Sequence, residues 1–151
     1  MEITVARKNV EIKFDFKTMY KINNRLGTVN NETGQRNSDG VGSIFYKILE
    51  RDDSAIVELI RLASSSGKKV PTDDEILDAI AAIVEEEGST ESLFKELEED
   101  MVASGFFTEK ISKYIANMEK TVTYLKARED EDEAQIAVVE DMIGKMRDAI
   151  S

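Results

Sequence analysis

Alternating apolar and polar residues open the chain on both sides of a polar break at residues 7–9. The apolar positions are Ile3, Val5, Val10, Ile12 and Phe14. A period of two places alternate side chains on one face of a strand, so the two runs predict a β-hairpin with one apolar face. A lone hairpin is marginally stable in water, and we therefore expect that face to pack against the rest of the chain.

Helical spacing replaces this alternation after Asp15, a residue suited to cap a helix. Phe16, Met19 and Tyr20 fall mainly on one face, and Gly27 could supply a left-handed exit. We interpret Phe16 and Tyr20 as core residues, and likewise Phe45 and Phe94 further along. Residues 27–40 are polar, rich in glycine and without apolar periodicity, which predicts a mobile surface loop.

Four helices are predicted between residues 41 and 105. The 3.6-residue period runs from Val41, breaks at Asp52-Asp53 and then resumes. Thr72 and Glu75 have the spacing of a capping box, which predicts a helix start there and an end at Gly88. The next helix begins at Ser89 or Thr90 and is broken at Gly105.

The C-terminal segment carries a long apolar stripe in alternating steps of four and three residues. Its members are Ile111, Ile115, Met118, Val122, Leu125, Ile136, Val139, Ile143, Met146 and Ile150. An acidic run interrupts the stripe and places Glu129 and Asp132 at seam positions. The pattern fits one helix from about residue 108 to 150 or a helical hairpin that turns in the acidic run, and we favour the single helix. Because a helix of that length cannot bury its seam on so small a body, we expect part of the stripe to contact another chain.

Together these elements predict a mostly α-helical α+β fold. An N-terminal β-hairpin precedes a bundle of about five to seven helices, which ends in a long C-terminal helix or helical hairpin. We divide the chain into a hairpin-plus-helix domain at residues 1–126 and an acidic segment with a C-terminal helix at residues 127–151.

The composition argues against an enzyme. The 151 residues include neither Cys nor His, so a thiolate nucleophile and the commonest general base and metal ligand are all missing. Gly67-Lys68 lacks the rest of a phosphate loop, and the acidic run at 130–135 lacks the glycine of a calcium loop. We therefore predict no catalytic, cofactor-binding or metal-binding residues.

Charge is distributed unevenly within a net charge of −11. Residues 1–71 hold 12 Lys and Arg against 9 Asp and Glu, whereas residues 72–151 hold 8 against 22, so the two parts carry +3 and −14. The negative field disfavours binding to nucleic acid or to an anionic membrane. It either serves solubility alone or lets the basic part of one copy meet the acidic part of the next. No apolar run is long enough to span a bilayer and no signal peptide is evident, so we expect a cytoplasmic protein.

Candidate partner-binding residues follow from the apolar stripe and from aromatic residues that the pattern leaves unassigned. Phe106 and Phe107 are adjacent and would point about 100° apart on a helix, so one of them could be an exposed anchor. The full set of candidates is Tyr46, Phe106, Phe107, Ile111, Ile115, Met118, Val122, Leu125, Val139, Ile143 and Met146.

Three stretches resemble the tail assembly chaperones of long-tailed phages and prophages of Gram-positive bacteria. They are KFDFKTMYKINNRLG at 13–27, DGVGSIFYKILERDD at 39–53 and ASGFFTEKISKYI at 103–115, and the likeness covers roughly residues 1–125. The resemblance implies an N-terminal β element, a helical body and no catalysis. It also implies a protein that coats the apolar, helical tape measure protein in the bacterial cytoplasm and is absent from the finished virion.

The same resemblance implies self-association and a longer frameshifted form that recruits the major tail tube protein. Two other functions remain open from the residues themselves. The −14 part could mimic DNA and block a nucleic-acid-binding protein, or the chain could be a minor structural subunit of the tail.

Overall fold

The computed structural model describes residues 1–65, 69–128 and 132–151. Two strands, β1 (Glu2–Val5) and β2 (Lys8–Glu11), form an antiparallel hairpin. In the described residues seven helices follow. They are α1 (Phe16–Arg25), α2 (Gly40–Leu49), α3 (Asp53–Ser64), α4 (Asp73–Glu87), α5 (Glu91–Ala103), α6 (Gly105–Ala127) and α7 (Glu133–Ile150). The mostly helical α+β fold with an N-terminal hairpin is thus confirmed.

The turn of the hairpin lies one residue earlier than the polar break at residues 7–9 suggests. Val5 pairs with Lys8, so the two-residue turn is Ala6-Arg7, with φ angles of 51° and 66°. Positive φ at both central positions matches the twist of the strands, although side chains other than glycine and asparagine adopt it at a cost. The side chains of Ile3, Val5 and Ile12 are buried, so the apolar face packs as expected.

Helix α2 lies at the centre of the fold. It contacts α1, α3, α5, α6 and α7, and Val41, Ile44, Phe45 and Ile48 are fully buried.

Several helix boundaries follow the predicted local signals. The Asp15 side chain accepts a hydrogen bond from Thr18 N, and Thr72 and Glu75 form the full capping box. Gly88 ends α4 in the left-handed conformation at φ 87°.

Residues 27–40 form a hydrogen-bonded surface loop. Val29 bridges to Arg36, and Asp39 accepts hydrogen bonds from the backbone N and the hydroxyl of Thr28. Gly27 has no positive φ, so its predicted left-handed exit is wrong. A Cβ at Gly27 would overlap the carbonyl oxygen of Asn37, so glycine serves the close approach of the two ends of the loop.

Arg51 joins the α2–α3 junction to α5. Its guanidinium donates to both carboxylate oxygens of Glu91 at 2.8 and 3.0 Å, to Glu98 at 3.1 Å and to the Ile48 carbonyl at 2.9 Å. It also lies 5.7 Å from the centre of the Phe94 ring. The hydrogen bond with Glu91 is the main cause that raises the pKa of Arg51. This bidentate geometry orients α5 against α2.

The C-terminal stripe belongs to two antiparallel helices, so the favoured single helix is wrong and the helical hairpin is correct. Lys126 pairs with Glu140 and Arg147 with Glu119, as expected when α7 runs back along α6. Asp132 is the N-cap of α7 and accepts hydrogen bonds from Ala134 N and Gln135 N at 3.1 and 3.2 Å. It thus begins a new helix instead of interrupting one. Glu129 lies outside the described residues.

Candidate partner-binding surfaces

Several ionisable side chains in the structure form helix caps or surface ion pairs. Asp73 pairs with Arg61, and the Ser92 hydroxyl donates to Glu87. Across residues 1–65, 69–128 and 132–151, no three acidic residues converge as a metal site would require. Gly67-Lys68 and Asp130 lie outside the described residues. Among the described residues, no helix is both long enough and apolar enough to span a membrane.

Most of the candidate partner-binding residues lie inside this chain's own core. Seven of the eleven are buried: Phe107, Ile111, Ile115, Val122, Leu125, Ile143 and Met146. Tyr46, Met118 and Val139 are half-buried against the same core, and Phe106 is exposed. In this structure α7 therefore packs on the stripe of α6 that we expected to be open. A partner could reach the residues that α7 covers only if α7 moved away, whereas Phe107 is covered by Phe14, whose ring meets it edge to face at 5.0 Å.

Exposed ion pairs lie on the α6 side and on the α2 side of α7. Lys126 and Glu140 are 2.7 Å apart, and Lys145 bridges Glu50 on the α2 side at 2.7 Å and Asp141 at 3.3 Å. The hydrogen bond with Glu50 is the largest cause that raises the pKa of Lys145. Exposed pairs contribute little to stability, so the apolar contacts hold α7 in place.

Two tyrosines mark the junction of α2 with α6 and α7. The Tyr114 ring fills the notch left by Gly42, where any Cβ would collide with it. Burial raises the pKa of Tyr114, and burial followed by the nearby Glu50 carboxylate raises the pKa of Tyr46. The hydroxyls of Tyr46 and Tyr114 are therefore in the neutral form at pH 7.

A second apolar surface is exposed on α1 and the start of α6. Phe16, Tyr20 and Phe106 are 58%, 62% and 47% exposed, and the Phe16 and Phe106 rings meet edge to face at 5.6 Å. We call these three residues the aromatic face. The interpretation of Phe16 and Tyr20 as core residues is therefore wrong, whereas that of Phe45 and Phe94 is confirmed. The buried side of α1 is limited to Met19 and Ile22.

Basic residues surround the aromatic face. Lys17, Lys21 and Arg25 follow each other at four-residue intervals along α1, beside a shallow depression of about 360 Å³. Lys110 and Lys113 follow Phe106 by one and two turns on the same side of α6. Within the described part of the chain, none of these five cations pairs with an acidic side chain. The surface is thus both apolar and positively charged.

The family model for the phage tail assembly chaperone protein, TAC, matches residues 2–116. The chain belongs to this chaperone family. The matched region of the chaperone runs from β1 to the middle of α6, and it contains the whole aromatic face. Helix α7 and the end of α6 lie beyond it. Neither a curated protein nor a solved structure gave a match.

Sequence reasoning named Phe106 as a candidate but missed the part of the aromatic face that lies on α1. Phe16 and Tyr20 belong to the same apolar stripe as Met19 and Ile22, but that stripe covers about 160° of a ten-residue helix. A stripe so wide exceeds what its neighbours α2, α3 and α6 cover. The width of the stripe, together with lysines at every fourth position beside it, was the available signal.

Proposed function

We propose that this chaperone coats the apolar, helical tape measure protein in the cytoplasm of the bacterial host. It does so before tail tube subunits assemble and is absent from the finished virion. The family match over residues 2–116 carries the proposal. Self-association along the client and recruitment of the major tail tube protein by a longer frameshifted form are parts of the same proposal.

The physical properties of the chain support a non-catalytic role as a holdase. A chaperone for an aggregation-prone helical client needs apolar side chains that can pack against surfaces of imperfect fit. It also needs enough charge to keep the complex soluble. Met118 and Met146 lie in the stripe between α6 and α7, and the net charge is −11.

We further propose that the client helix replaces α7 on the α6 stripe. Helix α7 is itself an amphipathic helix packed on α6 and α2, and it lies beyond the region shared with the family. A client helix with a similar apolar stripe could make equivalent contacts with Ile115, Val122 and Tyr46 once α7 has moved. Residues 127–151 would then act as a separable segment, in line with the division of the chain at residue 126.

The first test is an affinity purification of the tagged, full-length chain from cells that produce the phage or prophage that encodes it. Recovery of the tape measure protein in stoichiometric amounts, and precipitation of that protein when the chain is deleted, would support the chaperone role. Capture of a basic nucleic-acid-binding protein that DNA displaces would instead support a DNA mimic. Detection of the chain in purified virions would support a structural subunit.

A cross-linking experiment tests the movement of α7 separately. The chain has no Cys, so Glu119→Cys with Arg147→Cys provides a unique pair that a short bis-maleimide can join across α6 and α7. We expect the cross-linked chain to lose client binding, whereas each single-cysteine variant treated with the same reagent retains it. Full binding by the cross-linked chain would refute displacement of α7 and leave the chaperone role intact.

A further inference from the structure

The aromatic face has the composition of a protein-binding surface. Phe16, Tyr20 and Phe106 leave about half of their area in water although Phe16 and Phe106 are in contact with each other. Exposed aromatic groups of this kind are typical anchors of interfaces, where they bury a large area at a small entropic cost. Their position on α1 and at the start of α6 separates them from the stripe that α7 covers.

The charges around the face restrict the partner. Lys17, Lys21 and Arg25 have no acidic neighbour within pairing distance in the described part of the chain. An apolar partner would leave these cations desolvated without compensation, whereas an acidic helix would pair with them. The occupant should therefore present carboxylates around a small apolar centre.

Such a surface exists on the outer side of α4. Asp74, Asp78 and Glu85 share this side with Ala81 and with Leu77, which is 51% exposed. These three carboxylates form no ion pair within residues 1–65, 69–128 and 132–151. Asp74 and Asp78 are four residues apart, the same spacing as Lys17 and Lys21, so both pairs project from consecutive turns about 6 Å apart.

The two surfaces do not cover each other within one chain. Helix α1 packs on α2, α3 and α6, and α4 packs on α3 and β1. Leu77 and Tyr20 are both more than half exposed, so each surface is open in the single chain. A contact between them thus requires a second copy.

We propose that the aromatic face and the lysines of α1 in one copy bind the acidic outer side of α4 in the next copy. Because the two surfaces differ, the contact is head-to-tail, and each added copy leaves one surface of each kind free until a ring closes or a filament grows. The proposal deepens the self-association named under the proposed function, and it gives a way to line up many copies along an extended client.

Charge reversal on each side tests the contact with purified, full-length protein and no client. Lys17→Glu/Lys21→Glu and Asp74→Lys/Asp78→Lys are each expected to sediment as monomers under conditions in which the wild type associates. An equimolar mixture of the two variants should associate again, because every reversed surface then meets one of opposite charge. Recovery in the mixture also shows that both variants are folded. Association of the wild type should weaken as salt is raised.

Matched controls separate this contact from general charge effects. Lys95→Glu/Lys120→Glu changes the net charge by the same amount with exposed lysines on α5 and on a distant part of α6, and it should associate like the wild type. Tyr20→Ala should weaken association roughly tenfold or more, as expected for an interface anchor, whereas Tyr124→Ala removes an equally exposed tyrosine without effect.

Three results would overturn the proposal. They are a wild type that stays monomeric at low salt, a Lys17→Glu/Lys21→Glu variant that associates like the wild type, and a mixture of the two variants that stays monomeric. If the lysine variant associated normally but no longer recovered the tape measure protein, the aromatic face would belong to the client. None of these results bears on whether the wild type binds the tape measure protein, which the affinity purification decides.

Discussion

Replacement of Met146 by Ala tests whether α7 is held by its buried side chains. Met146 is fully buried in α7, the helix that packs against α6 and α2. Truncation of a buried Met to Ala removes transfer free energy and leaves a cavity, at a typical cost of about 2–5 kcal/mol. Because α7 is the terminal helix and can partly collapse into the space, we expect about 2–4 kcal/mol, or a lowering of Tm by roughly 5–15 °C at this chain length.

Urea denaturation followed by circular dichroism gives the change in the free energy of unfolding. Val138→Ala is the matched control, since Val138 lies on the same helix and is 60% exposed, and it should change stability by less than about 0.5 kcal/mol. Hydrogen exchange should show the loss of protection in Met146→Ala concentrated in α7. Equal effects of the two substitutions would refute the packing of α7 and would return Met146 to the open surface that the sequence suggested.

Three further predictions concern glycine packing, the hairpin turn and acid pH. Gly42→Ala should destabilise the chain by about 1–2 kcal/mol in urea denaturation because its Cβ meets the Tyr114 ring, whereas Gly144→Ala, with open space around it, should stabilise it by up to about 1 kcal/mol. A change in stability of the same sign for both substitutions would contradict this packing. Ala6→Asn with Arg7→Gly should raise stability by about 1 kcal/mol, since the pair suits positive φ, and an unchanged Tm would refute the turn geometry. Among the described residues, four carboxylates have pKa values lowered by hydrogen bonds or ion pairs: Asp15, Asp52, Glu75 and Glu91. A lowered folded pKa gives stability that is present above the ordinary values of 3.8 and 4.5 and lost as the pH falls below them. Between about pH 5 and about pH 3 the wild type should therefore lose more stability than Asp15→Asn, whose amide caps α1 without titrating; equal losses would contradict the role of Asp15.

Local signals in the sequence predicted most of the helices. The capping box at Thr72 and Glu75, the cap at Asp15 and the left-handed Gly88 each act within a few residues of the helix end that they define. Such signals need no knowledge of the tertiary fold. The hairpin turn was misplaced because Ala6-Arg7 lacks the Asn or Gly that marks a turn of this type, so tertiary packing of Ile3, Val5 and Ile12 sets the register.

The candidate site was harder to predict because apolar periodicity identifies a face and does not identify what covers it. The stripe on α6 and the stripe on α7 share a phase, which is equally compatible with one helix and with two helices that face each other. Only the long-range contacts, such as the pairing of Glu119 with Arg147, distinguish the two. The same limit applied to α1, where Met19 is buried and Tyr20 is exposed although both belong to one apolar stripe.

The predictions for α6 and for α1 were wrong in opposite ways, so the surface that the folded chain exposes differs from the one predicted. The stripe expected to be open is covered by α7, and the aromatic residues expected to be buried are open. The aromatic face lies within residues 2–116, the region shared with the family, whereas α7, which lies beyond it, covers the stripe. If self-association uses the aromatic face and the client uses the stripe, the two contacts can form at once. Displacement of α7 would then govern client binding without disturbing the contact between copies.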